Sequence, residues 1–240
     1  MVRTGLWFVY FMIYLLVISP GIKKAEMMYK KDKNKAGDYV KGKAERWSRR
    51  LLKLAGARLE IRGLEYLPQK EPVLFVSNHQ GNFDIPILLS SAGRKIGFLS
   101  KIEVKKIPLI SPWMEVMGCV FIDRADRRKA VQAIRTAANK LEDGNSMVVF
   151  PEGTRSKSAE VNDFKIGSLK LATLSKVAIV PVSISGSYKL MEANNGIMKP
   201  ADVKIIYGKP IRIHQEGKVD LQTLAAEIQR QVQKNVDKKM

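Results

Sequence analysis

The sequence predicts an α/β fold, a mixed twisted sheet with helices on both faces, preceded by an N-terminal two-helix membrane-anchoring element. Three observations predict it. From about residue 59 onward, short apolar runs of strand length alternate with segments of helical periodicity, the pattern of a sheet covered by helices. Ahead of them stand thirteen uninterrupted apolar residues, Leu6 to Ile18. Between the two lies a basic stretch, residues 23–58, with 13 Lys and Arg against 4 acidic residues. The chain divides accordingly into residues 1–58, the anchoring helices, and residues 59–240, the α/β domain.

The first helix is too short to span a bilayer comfortably, since about 20 apolar residues are needed and 10–14 suit an interfacial or re-entrant segment. Arg3 precedes it and Lys23-Lys24 follow it. A cleaved signal peptide also has a basic start and a short apolar core, but Ser19-Pro20-Gly21 offers no small-x-small cleavage site. A tilted span ending near Ile22 is a further alternative. Pro20-Gly21 reads as a turn. The second helix carries Val40, Ala44, Trp47, Leu51 and Leu54 at spacings of 4, 3, 4 and 3, one apolar face. Lys41, Lys43, Arg46, Arg49, Arg50 and Lys53 fill much of the rest. A basic helix of this kind lies in a membrane surface or docks on the domain, and its expected place here is the membrane.

In the α/β part, strands are expected at Leu59–Gly63, Val73–Ser77, Ile96–Leu99, Cys119–Ile122, Val148–Phe150, Ala178–Ser185 and Val203–Tyr207. Helices are expected at Ile85–Ser91, Pro108–Met117, after Asp126, at Ser168–Lys176 and at Leu221–Val236. Asp126 is a fitting N-cap, and Gly144 a fitting stop for the stripe Ala130, Ile134, Ala137, Leu141. In such sheets ligands collect beyond the carboxyl ends of the strands. His79, Arg124 and Glu152 each follow a strand.

Composition narrows the partners. A formal charge of +19 seeks a polyanion. There is no RNP-like aromatic motif, zinc spacing or helix-turn-helix signal, so nucleic acid is not the expected partner. The charge is densest beside the apolar segment, which points to an anionic phospholipid membrane, on its cytoplasmic face. The single cysteine, Cys119, rules out an intramolecular disulfide and fits a reducing compartment; its apolar neighbours make it a buried packing residue. No Cys/His cluster suggests a metal, and no phosphate-loop or dinucleotide pattern suggests a cofactor.

Two stretches carry the chemistry. Val76-Ser77-Asn78-His79-Gln80-Gly81-Asn82-Phe83-Asp84 runs from a strand through a loop, with Pro86 fitting a helix start. The loop can fold Asp84 back onto His79, leaving the second ring nitrogen as a base near neutral pH. Taken singly, Asp84 also fits an N-cap and His79 an ordinary loop histidine. Phe150-Pro151-Glu152-Gly153-Thr154-Arg155-Ser156 follows a second strand. Arg155 offers a planar fork for a phosphate, Gly153 permits close backbone approach, and Glu152 can bond a hydroxyl or orient the arginine. His214 alternates with apolar residues and carries no assigned role.

Asn-His-Gln-x-x-x-Asp and Phe-Pro-Glu-Gly-Thr-Arg-Ser together resemble the glycerolipid acyltransferase family, most closely its bacterial 1-acyl-sn-glycerol-3-phosphate acyltransferases. Gly118-Cys119-Val120-Phe121-Ile122-Asp123-Arg124 and Ile179-Val180-Pro181-Val182 agree, in the family's order, over about residues 60 to 190. The resemblance implies acyl transfer from an acyl thioester, of acyl carrier protein or coenzyme A, to lysophosphatidic acid, giving phosphatidic acid for phospholipid biosynthesis. It implies direct attack by the acceptor hydroxyl, His79 as base with Asp84, and acceptor binding by Arg124, Glu152, Gly153, Thr154 and Arg155, with Lys105 as a further cation. Phe164-Lys165-Ile166-Gly167 resembles another family block and equally fits a helix entry. Rival readings are a glycerol-3-phosphate or other lysolipid acyltransferase, and a non-catalytic membrane-surface protein.

Overall fold

The structure is a computed structural model and describes residues 1–213 and 220–237. Three helices, α1 (Val2–Ile18), α2 (Pro20–Lys31) and α3 (Lys33–Ala55), lead into the chain β1 (Ala57–Arg62), β2 (Val73–Ser77), α4 (Asp84–Ser91), β3 (Ile96–Lys101), α5 (Ile110–Val116), β4 (Val120–Ile122), α6 (Arg127–Glu142), β5 (Ser146–Val149), α7 (Ile166–Ser175), β6 (Ala178–Ser185), β7 (Ala201–Tyr207) and α8 (Leu221–Asn235). The expected alternation is present. His214 lies outside the described residues.

The strands form one seven-stranded sheet in the order β1-β7-β6-β2-β5-β3-β4. All neighbours are parallel except β6 and β7. β2 sits in the middle, and its residues Val73 to Val76 are fully buried. Successive side chains of a strand point to opposite faces: Val73 and Phe75 join one core, with residues of α3 and α4, while Leu74 and Val76 join the other, with residues of α6, α7 and α8. A strand buried on both faces reads as an unbroken apolar run, as this one does. The reversal at β7 has a second effect. β1 and β7 begin at the rim where β2 and β6 end, because Ser185 of β6 pairs with Lys204 and Ala57 with Ala201.

The N-terminal region corrects the expectation of two helices. Asp32 breaks the second segment, accepting from the backbone N–H groups of Asn34 and Lys35 at 3.0 Å and capping α3. Pro20 stands just past the end of α1 and occupies the first turn of α2, where its missing N–H costs nothing. The chain bends by 43° there. No single helix among the described residues is long and apolar enough to cross a membrane; α1 and α2 together reach that length and composition, with the bend between them.

The stripe on α3 also finds a different place from the membrane surface. Val40, Leu51, Leu52 and Ala55 are buried and Trp47 packs against the core over α4. Leu54 alone of the five-residue stripe stays out, 43% exposed. The docked alternative prevails because α4 and the sheet face beneath need a cover. The outward apolar face belongs to α1, where Leu6 is 66% and Ile13 54% exposed, with Val2, Val9, Leu16 and Val17 alongside. The other side of α1 is tied down: Trp7 Nε1 donates to the Leu51 carbonyl at 2.9 Å, and the indole packs on Phe11 and Phe83. Cys119 is buried as expected, and burial pushes its thiol up to about 12.

Leu51→Ala should lower the free energy of unfolding in a denaturant titration by about 2–5 kcal/mol, the range for emptying a buried leucine site. Leu54→Ala, on the open side of the same helix, should shift it by no more than about 0.5 kcal/mol. Equal effects would mean that α3 is not docked in the way described.

Candidate active site

The histidine loop is built from the end of β2. Asn78 continues the sheet with its side chain: Oδ1 accepts from the Ile184 N–H at 2.8 Å and Nδ2 donates to the Ile184 carbonyl at 2.9 Å. With the loop exit fixed to β6, the chain turns through His79 to Phe83 and enters α4 at Asp84. Asp84 does not cap its own helix. Its fully buried carboxylate points back into the loop, where Oδ2 lies 2.7 Å from His79 Nδ1 and accepts from the Gly81 N–H at 2.9 Å. Oδ1 accepts from Ser187 Oγ at 2.5 Å. A carboxylate at Nδ1 holds the proton on that nitrogen, so Nε2 presents a lone pair. No described residue bonds Nε2. The imidazole also lies flat on the Phe150 ring, centroids 4.0 Å apart at 14°.

The second loop leaves β5. Phe150 to Gly153 close a turn through the Gly153 N–H and the Phe150 carbonyl at 3.1 Å, with Pro151 at its second position. Gly153 takes φ +78°, which a side chain would strain. Glu152 departs from expectation. It is 2% exposed, and both oxygens are engaged by the protein: Oε1 accepts from the His79 backbone N–H at 2.6 Å, and Oε2 from Asn162 N and Nδ2 at 3.0 and 2.7 Å. Its oxygens are thus taken up by the protein, and among the described residues it makes no hydrogen bond to Arg155. Burial pushes its carboxyl up, against the pull of these donors. The Ser156 and Lys157 N–H groups donate to the His79 and Gln80 carbonyls at 2.8 and 3.1 Å, so the two loops are laced together.

Arg155 Nη1 donates to Glu192 Oε1 at 3.0 Å, and the same oxygen accepts from the Asn82 N–H at 2.8 Å. Glu192 therefore sets Arg155 against the histidine loop. Gly81 leaves room for it: a methyl group there would sit 2.5 Å from Glu192 Oε2. Arg124 Nη1 donates to the Gly153 carbonyl at 2.5 Å. A methyl on Gly153 would lie 2.9 Å from Arg124 Nη1 and 3.5 Å from Lys165 Nζ, so these two cations flank the turn. Thr154 is exposed at its tip. Lys105 is exposed and stands over the Phe121 ring, 5.9 Å from its centroid, and among the described residues no hydrogen bond or ion pair joins it to the two loops.

The structure thus joins His79, Asp84, Arg124, Gly153 and Arg155 in one place, gives Glu152 an internal role, and leaves Lys105 apart. Sequence reasoning missed Ser187 and Glu192. They stand 103 and 110 positions from the loop atoms they bond, and no local pattern marks them. Lys165 belongs to Phe164-Lys165-Ile166-Gly167, a stretch that in sequence fits a family block and a helix entry equally.

An Acyltransferase family profile matches residues 58–185, from the start of β1 through β6 and including both loops. The chain belongs to that family. It is 39% identical over 156 residues to a chloroplastic 1-acyl-sn-glycerol-3-phosphate acyltransferase of Arabidopsis thaliana, a match covering 64% of this chain and 44% of that one. The chain thus spans less than half the length of that relative. It is 34% identical over 198 residues to a probable 1-acyl-sn-glycerol-3-phosphate acyltransferase of Mycoplasma genitalium, covering 75% of this chain and 74% of that one. The fold is similar to the crystal structure of the 1-acyl-sn-glycerophosphate acyltransferase from Thermotoga maritima, with a TM-score of 0.85, 28% identity, and coverage of 98% of this chain and 93% of that one.

Glu152→Gln places an amide N–H2 where an acceptor is needed. It should cost about 1–3 kcal/mol of unfolding free energy in a denaturant titration, the penalty of a buried donor left without a partner. Unchanged stability would reassign Glu152 to substrate contact.

Proposed function

We propose that the protein transfers an acyl chain from an acyl thioester to the sn-2 hydroxyl of 1-acylglycerol 3-phosphate, giving phosphatidic acid for phospholipid biosynthesis. The observation that carries this reading is the His79–Asp84 pair, 2.7 Å apart, held beside a turn that gathers Arg155, Arg124 and Lys165. A base and a cationic cradle in one place suit an acceptor with both a hydroxyl and a phosphate. Family membership and the names of the Arabidopsis and Mycoplasma relatives support it.

In this mechanism His79 Nε2 takes the proton of the acceptor hydroxyl as its oxygen attacks the thioester carbonyl. Buried Asp84 stabilises the imidazolium that forms. Collapse of the tetrahedral intermediate breaks the carbon–sulfur bond, and the departing thiolate receives the proton from His79. Attack is direct, without an acyl-enzyme. Cys119 is no candidate nucleophile, since its buried thiol is pushed up to about 12, and Ser187 Oγ already donates to Asp84. General base catalysis is worth about 10²–10⁴-fold. The phosphate is held by Arg155 and Arg124 with Lys165, while Gly153 and Thr154 form the turn between them. Lys105 contributes charge at the periphery.

The chain is read as residues 1–58, a membrane-anchoring element, on residues 59–240, the catalytic domain. Attachment is peripheral, on the cytoplasmic face, with the outward stripe of α1 in one leaflet and the +19 charge drawing anionic headgroups. Trp7 of α1 touches Phe83 of the histidine loop, so a lysolipid reaches His79 from the bilayer. A second reading has a different lysolipid as acceptor: the chain is 30% identical over 223 residues to a lyso-ornithine lipid O-acyltransferase of Brucella abortus, covering 78% of this chain and 81% of that one. Offering lysophosphatidate and lyso-ornithine lipid with one acyl thioester separates the two by the product formed.

His79→Ala should remove nearly all turnover, at least about 10²-fold, with an unchanged melting temperature. Turnover within a few-fold of wild type would end the mechanism.

Arg155→Ala should raise KM for lysophosphatidate by about 30-fold or more, as expected when a desolvated charge pair loses one member at about 2–5 kcal/mol. It should barely move KM for the thioester. Glu192→Ala should act in the same direction, and the double variant should fall well short of the product of the two effects. Independent effects would show that Glu192 does not act through Arg155.

A further inference from the structure

A cavity of about 460 Å³ lies apart from the histidine loop, where α3 hands over to β1. Its walls are Leu52, Leu59 and Pro200, and its mouth carries Arg49, Lys53 and Arg58. Arg3 of α1 reaches Gly56, one of its lining residues, its guanidinium nitrogen 3.0 Å from where a Cβ on Gly56 would sit. We propose that this cleft binds the phosphate of an anionic glycerophospholipid headgroup in the bilayer and so fixes how the protein lies on it. The proposal rests on the bilayer-facing reading of α1 given above.

Charge is the first support. Among the described residues no carboxylate pairs with Arg3, Arg49 or Lys53. Only Arg58 is neutralised, through a two-point bond to Asp202 at 2.5 and 2.9 Å. Cations near a helix C-terminus complement its dipole, which accounts for Lys53 in the last turn of α3. It accounts in the same way for Arg3, whose guanidinium lies beside Gly56 at that helix end, and leaves Arg49, about two turns back, without a countercharge. Three unpaired cations over an apolar floor match a phosphate with a glycerol backbone behind it.

Position is the second support. Gly56 and Pro200 immediately precede β1 and β7, which start at the rim where β2 and β6 end. The cleft and His79 therefore share one edge of the sheet. On α1, Arg3 stands between Val2 and Leu6, which open the outward apolar stripe. With that stripe at the acyl-chain boundary, the cleft lies at the depth of the headgroups.

The test uses the full chain and two kinds of vesicle, pure phosphatidylcholine and phosphatidylcholine with phosphatidylglycerol. Arg49→Gln/Lys53→Gln is compared with Lys70→Gln/Lys209→Gln. The second pair is also exposed and removes the same charge, from the opposite rim, before β2 and after β7. The cleft variant should bind phosphatidylglycerol vesicles about 30-fold more weakly, the loss expected for two cations at headgroup range. Its binding to neutral vesicles should be unchanged, the control should stay within about twofold of wild type, and both variants should melt as wild type does. Equal losses in both variants, or none in the cleft variant, would overturn the cleft while leaving the bilayer reading of α1 standing. Failure of the wild type to bind either vesicle would overturn both. Calorimetric binding of inorganic phosphate that is abolished in the cleft variant, without any change in vesicle affinity, would assign the cleft to free phosphate and overturn the lipid.

Discussion

The bond from the His79 backbone N–H to the buried carboxylate of Glu152, 2.6 Å long, is the contact on which the site depends. It joins two loops that leave adjacent strands of the sheet, β2 and β5. The same carboxylate holds Asn162, and the carbonyls of His79 and Gln80 accept from Ser156 and Lys157 in return. A buried charge is tolerated only when its lone pairs are filled, so the carboxylate demands this arrangement. Everything around His79 then follows from a backbone that cannot drift: the reach of Asp84, the contact with Phe150, and the placing of Arg155 through Glu192.

A second buried carboxylate does a different task in the same volume. Asp84 accepts from Ser187, Gly81 and His79, with its donors drawn from the loop and from the chain beyond β6. Glu152 shapes backbone, while Asp84 holds a side chain by its ring nitrogen. The two acids divide the work of holding one loop: Asp84 takes donors from within it and from Ser187, while Glu152 reaches it from the neighbouring strand end.

Much of this was legible in the sequence, for local reasons. Val73–Ser77 and Ala178–Ser185 have the bounds that the apolar pattern predicts, because a strand buried on both faces is an unbroken apolar run. Asp126 capped its helix as its residue type required. The His79–Asp84 contact followed from a short loop between strand and helix. What escaped was non-local. Glu152 and Arg155 look alike as members of one polar turn, and only the fold shows that one points inward and the other outward. The stripe on α3 is chemically equal to a membrane-facing stripe, since amphipathicity records that a face is apolar and not what covers it. The sheet face left open beside α4 decides that question, and it is assembled from residues far along the chain.

The stacking of His79 on Phe150 bears on the order of events in a catalytic cycle. A ring held at one edge by Asp84 and across one face by an aromatic plane is a fixed post, with no freedom to swing from one partner to another. In the mechanism proposed above, the attacking oxygen and the departing sulfur are bonded to one carbon in the tetrahedral intermediate, so a ring that does not swing can serve both from the same nitrogen. The order of the proton transfers is then set by where that carbon comes to rest against a fixed imidazole.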